Sequence, residues 1–359
     1  MKILCVGDIH IKPSNTHLVD ALQTQIIQAS QKYAVESIVL LGDILDTFER
    51  VHTQALNRAY QLIDALRQHA QVYVLVGNHD LINNQQFLTD QHWMNGMKQW
   101  DRVHVVDSVY AVEDVMFVPY VPVRRFRIAL ETHPDTDWRN MRYIFAHQEF
   151  EGAKMGAIIS SEGERWDPEW PMVISGHIHE RQTPQPNLYY IGASIQNSFG
   201  DRSTPVLAFI ADEQTGQGTA EIITEIPLHL PRKKTVYTDL ERVQTLIQTP
   251  VGKGDNDQID QIDQIRIVIK SDYEQFKLFL KTKSYQDLVA LHPNCKVVHA
   301  VPTMEVSSNS SEPTAEPETG EFDEILVDKV LHTKDEYLYS TYMEVIHETH
   351  LEPGDILIV

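Results

Sequence analysis

The sequence predicts an α/β fold of layered sheets flanked by helices. Two observations predict it. Strand-length apolar runs alternate with helix-like periods over the first 230 residues, and polar motifs rich in Asp, Asn and His follow five of those runs directly. The runs are Lys2–Val6, Ser37–Leu41, Val72–Val76, Arg142–Ala146, Met172–Ser175 and Pro205–Ile210. Between the first three lie two helical segments. Leu18–Tyr33 is one. Thr53–His69 is the other, with Leu56, Tyr60, Leu62, Ile63 and Leu66 on one broad apolar face.

A break is expected at Pro227–Lys234. After it, Gln264–Lys270 reads as a strand, Ser271–Leu291 as an interrupted helix and Cys295–Ala300 as a second strand, a small unit of its own. Thr303–Glu324 carries seven acidic and no basic residues among Ser, Pro and Thr, which predicts a self-repelling, disordered linker. Ile325–Thr349 returns to a helix-compatible pattern. The expected organisation is therefore 1–230, 231–302, 303–324 and 325–359. A chain of 359 residues fits about two folded domains.

Thirty basic and 51 acidic residues give a net charge of −21. That argues against tight phosphate-backbone binding by this chain alone. At 42% hydrophobic and 23% charged, the composition excludes wholesale disorder. No apolar run is long enough to cross a bilayer, and the MKILCVGDIH start does not read as a signal peptide. Cys5 and Cys295, far apart in apolar stretches, suggest neither a disulfide framework nor a zinc ribbon, so a reducing, cytoplasmic setting is expected.

The chemistry is expected where the strands stop. Asp8 and His10 follow the first run (GDIH), Asp43 and Asp46 the second (GDILD), and Asn78, His79 and Asp80 the third (GNHD). His147 follows the fourth (FAHQ), and His177 and His179 follow the fifth (GHIH). Ligands bind beyond the carboxyl ends of strands in α/β sheets, so these ends converge if the strands share a sheet. Imidazole nitrogen combined with carboxylate and amide oxygen suits Mn, Fe or Zn, whereas Ca or Mg alone favours nearly all-oxygen sites. Seven potential ligands, Asp8, His10, Asp43, Asn78, His147, His177 and His179, are too many for one ion and suit two, with Asp43 shared. Each motif alone has a bland reading, GNHD as a turn and His147 as a satisfied core histidine. Five in order, each at a strand end, do not.

In this order the motifs resemble the calcineurin-like metallophosphoesterase superfamily over about residues 1–210. The resemblance implies a two-sheet β-sandwich flanked by helices around a dinuclear site. GDILD continuing into Thr47-Phe48-Glu49, and GNHD rather than GNHE, look more like SbcD-type nuclease subunits and the T-even phage recombination endonuclease subunit than like protein phosphatases. Gly176–Asp201 (GHIHERQ…LYYIGASIQNSFGD) looks like a GHxH…YxGSPxxxSF segment of that group, with Ala193-Ser194 where Ser-Pro is usual. By the same resemblance, 231–302 corresponds to a small DNA-capping domain, and 325–359 to a helical segment docking on a partner ATPase.

The resemblance further implies one metal held by Asp8, His10, Asp43 and His179 and another by Asp43, Asn78, His147 and His177, most readily Mn²⁺ with Mg²⁺, Fe²⁺ or Zn²⁺ as alternatives. The chemistry is two-metal phosphoryl transfer, in which paired cations activate water and stabilise charge on the phosphate oxygens. His79 is the candidate to stabilise or protonate the leaving oxygen. Asp46 is expected to orient it through a hydrogen bond, or equally to serve as a helix N-cap. Arg124, Arg125, Arg127, Arg181 and Arg202 are candidate phosphate contacts, or simply solvated basic residues. The implied function is an exonuclease and endonuclease subunit in DNA recombination and repair. It would act on DNA as a homodimer with an SbcC-type coiled-coil ATPase, because the chain has no GxxxxGK[ST] loop of its own. The alternatives are a small-molecule phosphodiesterase or phosphatase on the same fold, and a non-catalytic scaffold.

Overall fold

The computed structural model describes residues 1–300 apart from 157, 202, 216–217, 244–245, 247–261 and 293. The linker and terminal helix expected at 303–359 lie outside the described residues. Among the described residues the strands form two six-stranded sheets, one three-stranded sheet and a hairpin.

The first sheet contains β1 (Lys2–Val6), β2 (Ser37–Leu40), β3 (Gln71–Leu75), β4 (Val103–Val106), β13 (Val206–Thr215) and β14 (Gly218–Pro227), in the order β14-β13-β1-β2-β3-β4. β1 to β4 run parallel, and β13 closes antiparallel on β1. The second sheet contains β5 (Tyr110–Val112), β6 (Val115–Val118), β7 (Tyr143–His147), β10 (Met172–Gly176), β11 (Gln182–Gln185) and β12 (Leu188–Tyr190), ordered β11-β12-β10-β7-β6-β5. β6, β7, β10 and β12 are parallel neighbours.

Side-chain alternation builds the layers. Ile3 and Cys5 of β1 enter a core shared with Phe117, Phe145 and Ile174 of the second sheet. Leu4 and Val6 face the other way, onto helices α1 (Thr16–Tyr33) and α2 (Thr53–Arg67), which present Leu22, Ile26, Leu62 and Ile63. Each fully buried aliphatic side chain of this kind contributes roughly 1.5–3 kcal/mol. The outer face of the second sheet is covered by Trp138, Phe150, Trp166 and Phe126, the last from the short α3 (Phe126–Leu130). The expected two-sheet sandwich is therefore what the chain forms.

The five motif-bearing strands are divided between the sheets: β1, β2 and β3 belong to the first, β7 and β10 to the second. Their carboxyl ends nonetheless converge, because the two sheets stack with those ends at one edge.

The break at Pro227–Lys234 is shorter than expected, since β15 begins at Arg232. β15 (Arg232–Asp239), β16 (Ile262–Lys270) and β17 (Cys295–Ala300) make an all-parallel sheet. Helices α4 (Tyr273–Phe279) and α5 (Lys283–Leu291) cover it, capped by the Asp272 and Thr282 side chains. Ile265, Ile267, Ile269, Phe276, Phe279 and Leu288 form its own core. Met1–Pro302 nonetheless counts as one compact unit. Cys5 and Cys295 are free thiols. Among the described residues no helix is long and apolar enough to cross a membrane.

Candidate metal centre

Three non-glycine residues of the motifs adopt positive φ: His10 at 50°, Asp43 at 50° and His177 at 77°. Such backbone costs of order 1–3 kcal/mol each and persists only where its surroundings impose it. At His10 the imposition is visible, because Asn15 donates its Nδ2 to the His10 carbonyl at 2.9 Å. At Asp43 the neighbouring Gly77 is essential. A Cβ on Gly77 would collide with the backbone nitrogen and Oδ1 of Asp43, so only glycine lets the two loops approach this closely.

These bends bring the predicted ligands together. The Nε2 atoms of His10 and His179 lie 2.9 Å apart. Asn78 Oδ1 is 3.0 Å from His147 Nε2 and 2.9 Å from His177 Nδ1. Asp43 Oδ2 stands 3.3 Å from His147 Nε2 and 3.7 Å from His10 Nε2. Asp8 Oδ1 accepts the His177 backbone N–H at 3.0 Å. Asp8 Oδ2 and His10 Nδ1 are buried, and neither has a hydrogen-bond partner among the described residues. A buried carboxylate oxygen left in this state costs free energy unless a cation or water satisfies it.

Two groups of ligand atoms, each mutually within 4.8 Å, emerge among the described residues: His10, Asp43 and His79, and Asp43, His147 and His177. They share Asp43. The donor set is borderline nitrogen plus hard oxygen, and it fits two divalent transition ions. When bound, such ions supply Lewis-acid and nucleophile-generating chemistry.

Electrostatics favours this use. Burial lowers His10 to a pKa of about 4, against the raising effect of Asp43 and Asp8. Burial and the neighbouring His147 take His177 to about 4. Both imidazoles are therefore neutral near pH 7, with lone pairs free to ligate. Burial works to raise Asp43, but His147, by its charge and hydrogen bond, together with His10 and His79, holds it well below the usual carboxylate range. Burial also opposes protonation of His147. The charge and hydrogen bond of Asp43 outweigh it, with help from Asp8 and the Leu41 carbonyl, and raise His147 to about 9. His147 Nδ1 lies 2.6 Å from Leu41 O and donates to it, which leaves Nε2 aimed at Asn78 and Asp43.

With its pKa raised to about 9, His147 is expected to carry a second proton near pH 7 in the metal-free chain. Metal uptake at about pH 7.5 is expected to release it, and affinity to fall by up to about tenfold per pH unit as pH drops below 9. Calorimetry in buffers of different ionisation enthalpy reads the proton count. Uptake without proton release would refute the protonated state.

His79 lies beside this set. Its backbone N–H donates to Asp43 Oδ1 at 2.9 Å, and its ring stacks on Phe48 with centroids 4.4 Å apart. Its expected orientation by the Asp46 side chain is corrected. His79 Nδ1 donates instead to the Asp46 backbone carbonyl at 2.8 Å, while the Asp46 carboxylate is taken by Lys12 Nζ, also at 2.8 Å. Asp46 is not a helix cap either, since α2 is preceded by His52 at that position. The main chain fixes the tautomer, and Nε2 is left for other work.

The arginine candidates are engaged elsewhere. Arg124 pairs with Glu162, and Arg125 lies over the Phe87 ring at 4.2 Å. Arg127 stands 6.0 Å from the Trp170 centroid. Arg181 donates to Thr204 O at 3.1 Å and pairs with Glu225 at 3.4 Å. Arg202 lies outside the described residues.

Asp80 has a role that sequence reasoning missed. Its carboxylate accepts N–H bonds from Ile44 and Leu45 at 3.2 Å, from Gly77 at 3.1 Å and from Trp93 Nε1 at 2.9 Å. It pins the loop carrying Asp43 to the loop carrying Asn78. Burial and the nearby Asp43 raise its pKa to about 6. The available signal was an acidic residue directly after His79, inside a motif already placed at a strand end.

Residues 1–181 match the family model described as calcineurin-like phosphoesterase. A protein of Invertebrate iridescent virus 6 named for a phosphoesterase (244L) is 40% identical over 286 residues, covering 79% of this chain and 98% of that protein. A similarly named protein of Invertebrate iridescent virus 3 (078R) is 37% identical over 296 residues, covering 80% and 82%. Among solved structures, the Pseudomonas putida nuclease MPE overlaps 58% of this chain and 83% of its own, at 14% identity and a TM-score of 0.31. A dimetal phosphatase from Danio rerio overlaps 64% and 99%, at 12% identity and a TM-score of 0.34. Those two overlaps add nothing to the assignment, which rests on the family model and the viral relatives: the chain belongs to the calcineurin-like phosphoesterase family.

Proposed function

We propose that the chain is a small-molecule phosphodiesterase or phosphatase, hydrolysing phosphoesters at a dinuclear metal centre. The observation that carries this reading is the pair of ligand groups joined at Asp43, with the unpartnered Asp8 oxygen beside them. Asp8, His10, Asp43 and His179 would hold one ion, and Asp43, Asn78, His147 and His177 the other. His79 holds its Nδ1 proton on the Asp46 carbonyl, so as the imidazolium it would give its second proton, from Nε2, to the leaving oxygen of the ester and be left as the Nδ1–H tautomer. The small-ester reading gains over a DNA substrate because the net charge of −21 opposes the approach of a polyanion.

A second reading, an SbcD-like nuclease subunit acting on DNA with a coiled-coil ATPase, is favoured by one contact. The three-stranded sheet sits on the segment that carries that resemblance: Lys233 Nζ donates to Asn197 O at 2.7 Å, and Arg266 lies 4.2 Å over the Phe199 ring.

One assay separates the two. The full chain is given Mn²⁺, Fe²⁺, Zn²⁺ or Mg²⁺ with bis(4-nitrophenyl) phosphate, 4-nitrophenyl phosphate or end-labelled linear duplex DNA. Metal-dependent release of 4-nitrophenolate, abolished by chelator and without strand shortening, is the expected result. Degradation of DNA in preference to the small esters would move the assignment to the nuclease. No turnover with any metal would overturn both.

A further inference from the structure

A cavity of about 410 Å³ opens beside the candidate centre, with His177 and His179 in its wall. It has a mixed lining. Met155 and Ile178 supply apolar surface, and Lys154, Glu180 and Ser198 supply polar groups. One wall is β8 (Lys154–Met155) and Gly156, where φ is 68°; β8 pairs antiparallel with β9 (Ile158–Ile159). The Gln182 amide holds this wall in place: its Oε1 accepts the Lys154 N–H at 2.7 Å, and its Nε2 donates to Lys154 O at 2.8 Å. Gln182 lies three residues beyond His179, so the hairpin is registered to the predicted ligands.

His79 and Phe48 are not part of this lining. His79 and His179 each place their rings 4.8 Å from that of His10. A phosphoryl group at the centre therefore has two directions for its substituents. The leaving oxygen belongs with His79. The substituent that stays on phosphorus belongs in the cavity.

Resting on the reading that this centre hydrolyses phosphoesters, we infer that the cavity walled by Lys154, Met155 and Gly156 is the subsite for the retained ester substituent, and that it takes a nucleoside. The volume lies at the lower end of the roughly 300–1,000 Å³ of small-molecule sites, room for a group of about one nucleoside. A long acyl chain would leave Lys154 and Glu180 unmatched, and a bare sugar would leave Met155 and Ile178 unmatched. A nucleoside has an apolar ring face, polar ring edges and a hydroxylated sugar, which match all of them.

The test compares two diesters with the same leaving group, thymidine 5′-(4-nitrophenyl) phosphate and methyl 4-nitrophenyl phosphate. In both, water adds to phosphorus and the bond to 4-nitrophenolate breaks, releasing thymidine 5′-phosphate or methyl phosphate. The thymidyl ester is expected to be favoured at least about tenfold in kcat/KM, mainly through KM, since the cavity binds ground and transition states alike. Met155→Glu is expected to erase the preference while leaving the methyl ester within about twofold. Calorimetry of thymidine 5′-phosphate with the metal-free chain is expected to show binding that Met155→Glu weakens. Equal turnover of the two esters, or a Met155→Glu loss shared by both, would overturn the subsite and leave the phosphoesterase reading intact. Failure to hydrolyse either ester with any metal would overturn that reading instead.

Discussion

Asp43→Asn is expected to lower phosphoester turnover by about a thousandfold, equivalent to about 4 kcal/mol of barrier. Metal content is expected to fall from two ions per chain to one or none. Asp43 is the residue common to both ligand groups. Its Oδ2 faces His147 and His10, and its Oδ1 accepts the His79 N–H. An amide of the same shape presents one oxygen where two are used and removes the negative charge that both cations require. Elemental analysis after dialysis gives the stoichiometry, and release of 4-nitrophenolate gives the rate. Two tightly held ions with near-normal turnover would remove Asp43 from its bridging place.

The second large effect is expected at His79. Replacing it with alanine should reduce kcat by about 10²–10⁴-fold for an ester with an alkoxide leaving group, the usual loss when a positioned proton donor is removed, and far less for 4-nitrophenyl esters, whose leaving group departs without a proton. Two ions should stay bound. The side chain belongs to one of the two ligand groups by distance, yet its Nδ1 is committed to the Asp46 carbonyl. Metal content therefore separates its two possible duties. An alanine variant that binds one ion fewer would make His79 a ligand. One that keeps both ions and turns over the alkoxide ester normally would leave it with neither duty.

Most strands legible in the sequence are buried on both faces, although β6 and β12, equally buried but only four and three residues long, were not read. β1, β2, β3, β7 and β10 are covered on both sides, so their side chains form unbroken apolar runs that stand out at strand length. β11 (QTPQ) and β15 (RKKTVYTD) escaped notice because each is an edge strand with polar or charged side chains, as edges commonly are. The site was legible as a set of donors because metal chemistry restricts residue type. It was not legible as a network. That Lys12 takes the Asp46 carboxylate, that a carbonyl orients His79, and that Asp80 ties two loops together are matters of tertiary placement. The arginine contacts were illegible for the same reason: a basic cluster in sequence says nothing about Glu162 or Phe87 coming to meet it.

The division of the motif strands between two sheets has a thermodynamic consequence. Asp8, His10, Asp43 and Asn78 lie at the ends of first-sheet strands, while His147, His177 and His179 lie at the ends of second-sheet strands. A cation gripped by both sets is a rivet through the sandwich, and prying the sheets apart must release it. Free metal then acts as a folding effector, adding about 2.7 kcal/mol per site at a hundredfold excess over its dissociation constant. The same rivet would offset the cost of the three left-handed backbone positions, and the chain's durability would then follow the metal supply around it.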